Sequence, residues 1–239
     1  FLLYNILIQH SMAMLNFASA IGLWLFLTCG TCFSALSYEN KLTGNLLVSS
    51  LIFFNNLNIF IAICEICLGV HIEFIQKQYQ KLHAIYKGKE IRGCLALFTM
   101  PLTFSQLFDG KTWAMMWATY SLYDPSYQNN ESFGFFIDFG NGMSTIIPCL
   151  IINAGILFPH KASHLLVGCL SIAVYWQVMY GTFIYCLSYC FNKRYRNFSS
   201  KEVFLFVGCT NIVWVIFPTV GIYAGVCMLR DGNMDIYKA

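Results

Sequence analysis

The stretch 57–70 reads LNIFIAICEICLGV, an almost unbroken apolar run that contains one carboxylate, Glu65. A second run, SFGFFIDFGNGMSTIIPCLII at 132–152, also contains one, Asp138. Runs of about 20 mostly apolar residues are long enough to cross a bilayer as helices. A charged side chain at the centre of such a helix costs about 2.5–3.5 kcal/mol on insertion scales. Glu65 and Asp138 are therefore the first candidates for function.

The composition is that of a polytopic membrane protein. It is 58% hydrophobic and 10% charged, against about 25% charged residues in ordinary soluble domains. A soluble fold of 239 residues could not bury so much apolar surface. The net charge of +3 is spread among loops, so nucleic acid is not an expected partner.

Five segments are long and apolar enough to span a bilayer. They predict an all-α, polytopic five-helix bundle that forms one integral membrane domain over residues 1–239. The predicted spans are 13–36, 46–70, 133–157, 164–190 and 203–229. Because the chain starts at Phe1, we expect either a missing true start or a removed leader.

A long connection, 71–132, follows the second span. The apolar run 94–108 is too short to cross a bilayer and contains Pro101, so it predicts a re-entrant or interfacial segment. The run 76–92 mixes bases with aromatic and aliphatic residues. Two interpretations stay open for 76–92: a surface helix that contacts anionic lipid or a partner, and a solvated loop.

The distribution of positive charge predicts the orientation. Five spans place the N-terminus, the connection 71–132 and the loop 191–202 on one side, which carries ten of the 14 Lys and Arg residues. The other four are Lys41, Lys161, Arg230 and Lys238. By the positive-inside rule, the more basic side faces the cytoplasm, or the matrix in a mitochondrion.

Polar residues recur at helical spacing within four of the spans. The stripes are Asn58 and Glu65; Asp138, Asn141 and Thr145; Gln177 and Tyr180; and Asn211, Trp214 and Pro218. Polar groups in lipid turn toward a bundle interior, where they commonly hydrogen-bond between helices. For Asn141 or Gln177 alone, we favour that structural role.

The two acids allow a functional interpretation, because the predicted spans contain no Lys or Arg that would neutralise them. Paired acids in an apolar site are the arrangement used in acid–base chemistry, and they would also hold a cationic amine. Neither a metal nor a cofactor is expected. The pairs Cys29–Cys32 and Cys64–Cys67 have CxxC spacing, but they lie in apolar runs, where Cys usually acts as a small packing residue.

Three motifs resemble the EXPERA superfamily, and within it the emopamil-binding proteins, which are sterol isomerases. They are WATYSLYDPSY at 117–127, QVMYG at 177–181 and NIVWVIFP at 211–218. Together with Glu65 and Asp138, the likeness covers roughly residues 46–228. Each motif is weak alone, but their order and their positions on the helices make the set fairly specific.

The resemblance implies a bundle with a lipid-accessible cavity for sterols or cationic amphiphiles. In the isomerases, a buried acid protonates a ring alkene and a neighbouring group removes a proton elsewhere. Carried over, Glu65 and Asp138 would be the acid–base groups, Asn211 would hydrogen-bond within the site, and Trp214 would face the cation. The expected ligand-binding residues are Asn211 and Trp214 together with Asn58, Asn141 and Tyr180 from the stripes. Glu65 and Asp138 would be catalytic only in an active enzyme.

Three positions depart from the isomerase pattern. Ile61 stands where the family has His, Asp138 stands where it has Glu, and Ser126 stands where it usually has Arg. Because general acid–base catalysis contributes about 10²–10⁴-fold, loss of an imidazole matters. The favoured hypothesis is a non-catalytic lipid- or sterol-binding protein, including an accessory subunit of a membrane complex.

The alternative is an active isomerase in which Tyr180 or Asn58 replaces the missing proton carrier. A transporter is disfavoured, because the sequence contains no inverted repeat. The resemblance implies the endoplasmic reticulum, and the mitochondrial inner membrane stays open as a second location.

Overall fold

The computed structural model describes residues 15–38 and 45–238. Its helices are α1 (Phe17–Tyr38), α2 (Leu46–Val70), α3 (Ile72–Tyr86), α4 (Glu90–Phe98), α5 (Gly110–Tyr120), α6 (Phe133–Leu157), α7 (His164–Phe191) and α8 (Ser200–Asp231). Two short strands, β1 (Leu15–Asn16) and β2 (Pro101–Leu102), pair antiparallel. Within the described residues, five helices (α1, α2, α6, α7 and α8) are long and apolar enough to cross a membrane. The predicted all-α integral membrane fold is confirmed.

The predicted bounds of the spans agree with the helices to within a few residues. Helices α2 and α6 coincide with the predicted spans 46–70 and 133–157, and α7 ends one residue later than predicted. Helix α8 is longer than its prediction because it begins with a capped turn: Ser199 and Glu202 form a reciprocal capping box. The predicted start of the first span, 13, lies outside the described residues.

Helix α8 is not uniform along its length. It begins as an α-helical turn, Ser200–Val203, continues as a π-helical turn, Phe204–Gly208, and ends as the α-helix Cys209–Asp231. The N–H of Cys209 donates to the carbonyl of Phe204, which is the i→i+5 bond of a π-helix. Such turns interrupt the regular backbone pattern and occur frequently at functional sites.

The chain divides into two compact units, and the first comprises residues 1–24 and 66–136. In this unit α3 packs on α5, and the Gln76 side chain donates to the Gln128 carbonyl at 3.0 Å. The segment 76–92, for which the sequence allowed a helix or a loop, lies mostly in the helices α3 and α4. Burial, with a smaller contribution from Glu90, raises the pKa of Cys94 to about 12, so its thiol stays protonated at neutral pH.

The motif at 117–127 forms the corner that leads from α5 toward α6. The ring centroids of Trp117 and Tyr127 are 5.0 Å apart, and those of Tyr120 and Tyr127 are 5.1 Å apart. Asp124 is fully buried and accepts a hydrogen bond from the Ser126 N–H at 3.0 Å, which caps the next turn. Within this unit, the family-like motif therefore has a structural role.

The second unit comprises residues 25–65 and 137–239. Its helices α7 and α8 approach closely through Gly168, Gly221 and Gly225. A Cβ added at Gly225 would lie 2.9 Å from the Gly168 carbonyl oxygen, and one added at Gly221 would overlap the ring of Tyr175. Small residues let membrane helices pack backbone to backbone, and the Gly221–Gly225 spacing is that of a GxxxG motif.

The C-terminal segment returns to the core of the second unit. Helix α8 is followed by Gly232 in the left-handed conformation (φ 66°), which turns the chain into the short 3₁₀ helix Asp235–Tyr237. Met234 and Tyr237 are buried among the core side chains. Burial raises the pKa of the Tyr237 phenol, so it stays protonated at physiological pH.

Candidate functional site: polar groups within the bundle

The second unit brings the two acids together. Glu65 on α2 is buried, with 6% of its surface exposed, and its electrostatic neighbour is Asp138 on α6, which is partly buried. Glu65 lies five residues before the end of α2 at Val70, and Asp138 lies five residues after the start of α6 at Phe133. At 1.5 Å per residue, each acid is about 7.5 Å from a helix end. Each acid thus lies nearer to an end of its helix than to the middle.

Asn58 connects three spans at mid-helix depth. Its amide Nδ2 donates to Thr145 Oγ1 at 3.2 Å and to Cys149 Sγ at 3.5 Å, both on α6. Its Oδ1 accepts a hydrogen bond from Trp214 Nε1 on α8 at 3.2 Å. Both ends of the amide are therefore engaged, and Asn58 and Trp214 act in this structure as interhelical contacts.

A second buried amide cluster was missed by the sequence analysis. Asn55 Nδ2 donates to Asn153 Oδ1 at 2.9 Å, and the Tyr175 hydroxyl donates to Asn55 Oδ1 at 2.8 Å. Asn55 and Tyr175 are fully buried, and Asn153 is nearly so. The signal was present, since Asn55 precedes Asn58 by three residues and so lies on a neighbouring part of the same face. The contacts that Asn153 and Tyr175 make with Asn55 cannot be predicted from the linear sequence.

Asn141 and Tyr180 lie in a different environment from the buried clusters. Asn141 Oδ1 accepts a hydrogen bond from Gln177 Nε2 at 2.9 Å, and the same nitrogen donates to Ser144 Oγ at 2.7 Å. Gln177 and Ser144 are exposed on the surface of their helices, although both lie near mid-helix. Tyr180 is 50% exposed and stacks on Trp176 with ring centroids 5.9 Å apart.

Asn211 serves the backbone of its own helix. Its Nδ2 donates to the Val207 carbonyl at 2.8 Å, and the neighbouring Thr210 hydroxyl donates to the Phe206 carbonyl at 2.7 Å. Both carbonyls belong to the π-helical turn or its immediate surroundings. In lipid, every backbone polar group must find a hydrogen-bond partner within the protein. The side chains of Asn211 and Thr210 each supply a partner for one backbone carbonyl.

The structure thus separates the predicted site residues into groups. It brings Glu65 to Asp138 and Asn58 to Trp214, whereas Asn141 joins a network on the helix surface and Tyr180 faces outward. Within the described residues there is no cluster of three or more His, Cys, Asp or Glu side chains that could hold a metal ion.

Comparison with known proteins adds no family or relative. No protein-family model matches the sequence, and neither a curated protein nor a solved structure matches it.

Proposed function

We propose that this integral membrane protein binds a sterol or a cationic amphiphile at the Glu65–Asp138 pair and does not isomerise it. The juxtaposition of the two acids carries the proposal. Two neighbouring carboxyl groups in an apolar bundle repel each other when both are ionised, and a bound cation relieves that repulsion. A ligand amine would therefore bind more tightly at this site than at an ordinary membrane surface.

The depth of the pair suits an amphiphile. A carboxylate about 7.5 Å from a helix end lies where a lipid's polar group meets its hydrocarbon part. An amine or sterol head bound there would leave its apolar body in the hydrocarbon region.

The non-catalytic part of the proposal rests on the groups that could replace the missing family histidine. Ile61 is apolar, and Asn58 uses its amide for contacts with Thr145, Cys149 and Trp214. Tyr180 is half exposed and stacks on Trp176. None of the three offers a free proton carrier beside the acids, and this supports binding without isomerisation.

The test measures binding of N,N-dimethyldodecylamine and of cholesterol to purified protein in a nonionic detergent. We expect Glu65→Gln and Asp138→Asn each to weaken amine binding by at least about tenfold, because one charge partner is removed. Glu73→Gln is the matched control, since Glu73 is an exposed acid on α3 outside the spans. Equal amine binding by all four proteins would contradict the proposal.

Catalysis is tested with the same preparations. A sterol with a ring double bond is incubated with the protein, and the position of the double bond is followed by NMR. We expect no shift. A shift that disappears in Glu65→Gln would show that the chain is an isomerase, the alternative that the sequence allows.

A second candidate function, that of an accessory subunit, is favoured by the network of Asn141, Ser144 and Gln177. Gln177 and Ser144 are exposed near the middle of spanning helices, where lipid tails offer no hydrogen-bond partners. A transmembrane helix of another protein would cover these groups and satisfy their remaining hydrogen-bonding capacity. The exposed Trp176 and Tyr180 are typical of protein interfaces.

Purification from the native membrane in a mild detergent separates the two candidates. A particle of one or two chains that carries sterol supports the first, and a particle of many different chains supports the second. If the network docks a partner, Gln177→Leu should lower the yield of that particle. Thr31→Val is the control, because the exposed Thr31 hydroxyl is bonded to its own helix at Leu27.

A further inference from the structure

A groove of about 430 Å³ lies at the hairpin between α6 and α7, away from the acids. Its walls are apolar, formed by Ile151 and Ala154 on α6 and by Leu166 and Val167 on α7. Lys161 and Ser163 border it in the connecting loop. The groove thus combines an apolar surface on two spanning helices with a cation at their ends.

The depth of the groove matches a lipid. Ile151 lies six residues before the end of α6 at Leu157, which is about 9 Å along the helix from that end. Lys161 lies beyond the helix end, in the loop, where we expect the headgroups of a bilayer that α6 and α7 span. An amphiphile would therefore meet the cation with its polar end and the apolar walls with its chain.

The charge of Lys161 is not balanced by protein. Among the described residues no carboxylate forms an ion pair with Lys161, and its ammonium lies 5.6 Å from the centroid of the Phe158 ring. The other two described cations on that side of the bundle are paired: Arg230 with Asp231 at 2.7 Å and Lys238 with Asp235 at 2.6 Å. The loop 158–163 contains no acid. The groove therefore presents an unbalanced positive charge above an apolar surface.

We propose that this groove binds an anionic phospholipid, with the lipid phosphate at Lys161 and an acyl chain between α6 and α7. A lysine ammonium forms a charge-assisted hydrogen bond with a phosphate oxygen, and the apolar gap between the helices leaves room for the acyl chain. The apolar walls distinguish this ligand from a free anion, since inorganic phosphate would gain nothing from them. The site is independent of the sterol or amphiphile site proposed above.

The experiment counts lipids retained on the purified protein by native mass spectrometry, after exchange into micelles that contain phosphatidylglycerol or phosphatidylcholine. We expect preferential retention of phosphatidylglycerol. Lys161→Ala should reduce its apparent affinity about fivefold, the effect of one lysine near a membrane surface. Lys238→Ala is the control, because Lys238 is exposed on the same side and ion-paired; we expect it to retain the lipid as the parent does.

A groove variant tests the apolar part of the site. Ala154→Phe introduces a ring into the groove at an exposed position. We expect this variant to retain less phosphatidylglycerol than the parent, although Lys161 is still present. Equal retention by the parent and Lys161→Ala, or equal retention of the two lipids by the parent, would overturn the proposal. Displacement of the lipid by millimolar inorganic phosphate would also overturn it, because the site would then recognise the anion alone.

Discussion

At the scale of single residues, the bundle uses amide side chains to hold helices together. Asn58 and Asn55 each contact two other helices: Asn58 reaches α6 and α8, and Asn55 reaches α6 and α7. Hydrogen bonds between membrane helices contribute about 0.6 kcal/mol on average and up to about 1.7 kcal/mol. The acids differ from these amides, because Glu65 and Asp138 repel each other when both are ionised.

A double-mutant cycle on Asn58 and Trp214 tests the structural role. We expect Asn58→Leu and Trp214→Phe each to lower the free energy of unfolding, with a coupling between them of about 0.6–1.7 kcal/mol. The coupling arises because either change removes the same 3.2 Å hydrogen bond. The measurement is reversible unfolding in mixed micelles. Strictly additive effects would mean that this hydrogen bond contributes nothing to stability.

At the scale of elements, α7 and α8 pack closely on each other, and glycine makes that approach possible. The backbone oxygens of Gly168 and Gly225 lie against the opposite helix at positions where any side chain would intrude. Tyr175 fills the space beside Gly221, and its hydroxyl reaches Asn55 on α2. The packing of α7 on α8 and the amide cluster therefore depend on each other through one tyrosine.

Replacement of Gly221 by Ala should disrupt this packing. The added methyl group would overlap the Tyr175 ring, and overpacking of this kind costs about 1–3 kcal/mol. Gly30→Ala on α1 is the control, because a Cβ at Gly30 meets nothing within 4 Å and alanine has the higher helix propensity. We expect a lower thermal midpoint for Gly221→Ala and an unchanged or higher one for Gly30→Ala. The reverse order would contradict the close approach of α7 and α8.

At the scale of the whole molecule, the described residues contain five helices that are long and apolar enough to cross a membrane. From the positive-inside rule we expect the more basic connection 71–132 to face the cytoplasm, or the matrix in a mitochondrion. The expected orientation also predicts the side of the membrane from which the acid pair is reached. Both acids lie near the helix ends that flank this connection. If the protein binds an amphiphile as proposed, we expect its headgroup to approach from this more basic side.

Labelling with a membrane-impermeant amine reagent on sealed vesicles checks the orientation. Lys87 and Lys89 on the connection and Lys161 on the α6–α7 loop are exposed lysines. We expect the first two to react from the cytoplasmic or matrix side and Lys161 to react only from the other side. Vesicles opened with detergent, in which all three react, provide the control. Labelling of all three from one side of sealed vesicles would contradict the five-span topology.

The sequence alone determined the membrane class, the five spans and most of their bounds, because a bilayer imposes a length and a hydropathy that can be read locally. It also singled out Glu65 and Asp138, since a carboxylate in an apolar run can be recognised without knowledge of its neighbours in space. Only the tertiary structure decided which polar groups meet. Asn55, Asn153 and Tyr175 are up to 120 positions apart, and no periodicity encodes such a contact. The same is true of Tyr180, whose outward direction depends on how α7 is rotated against its neighbours, and rotation is fixed by side-chain packing.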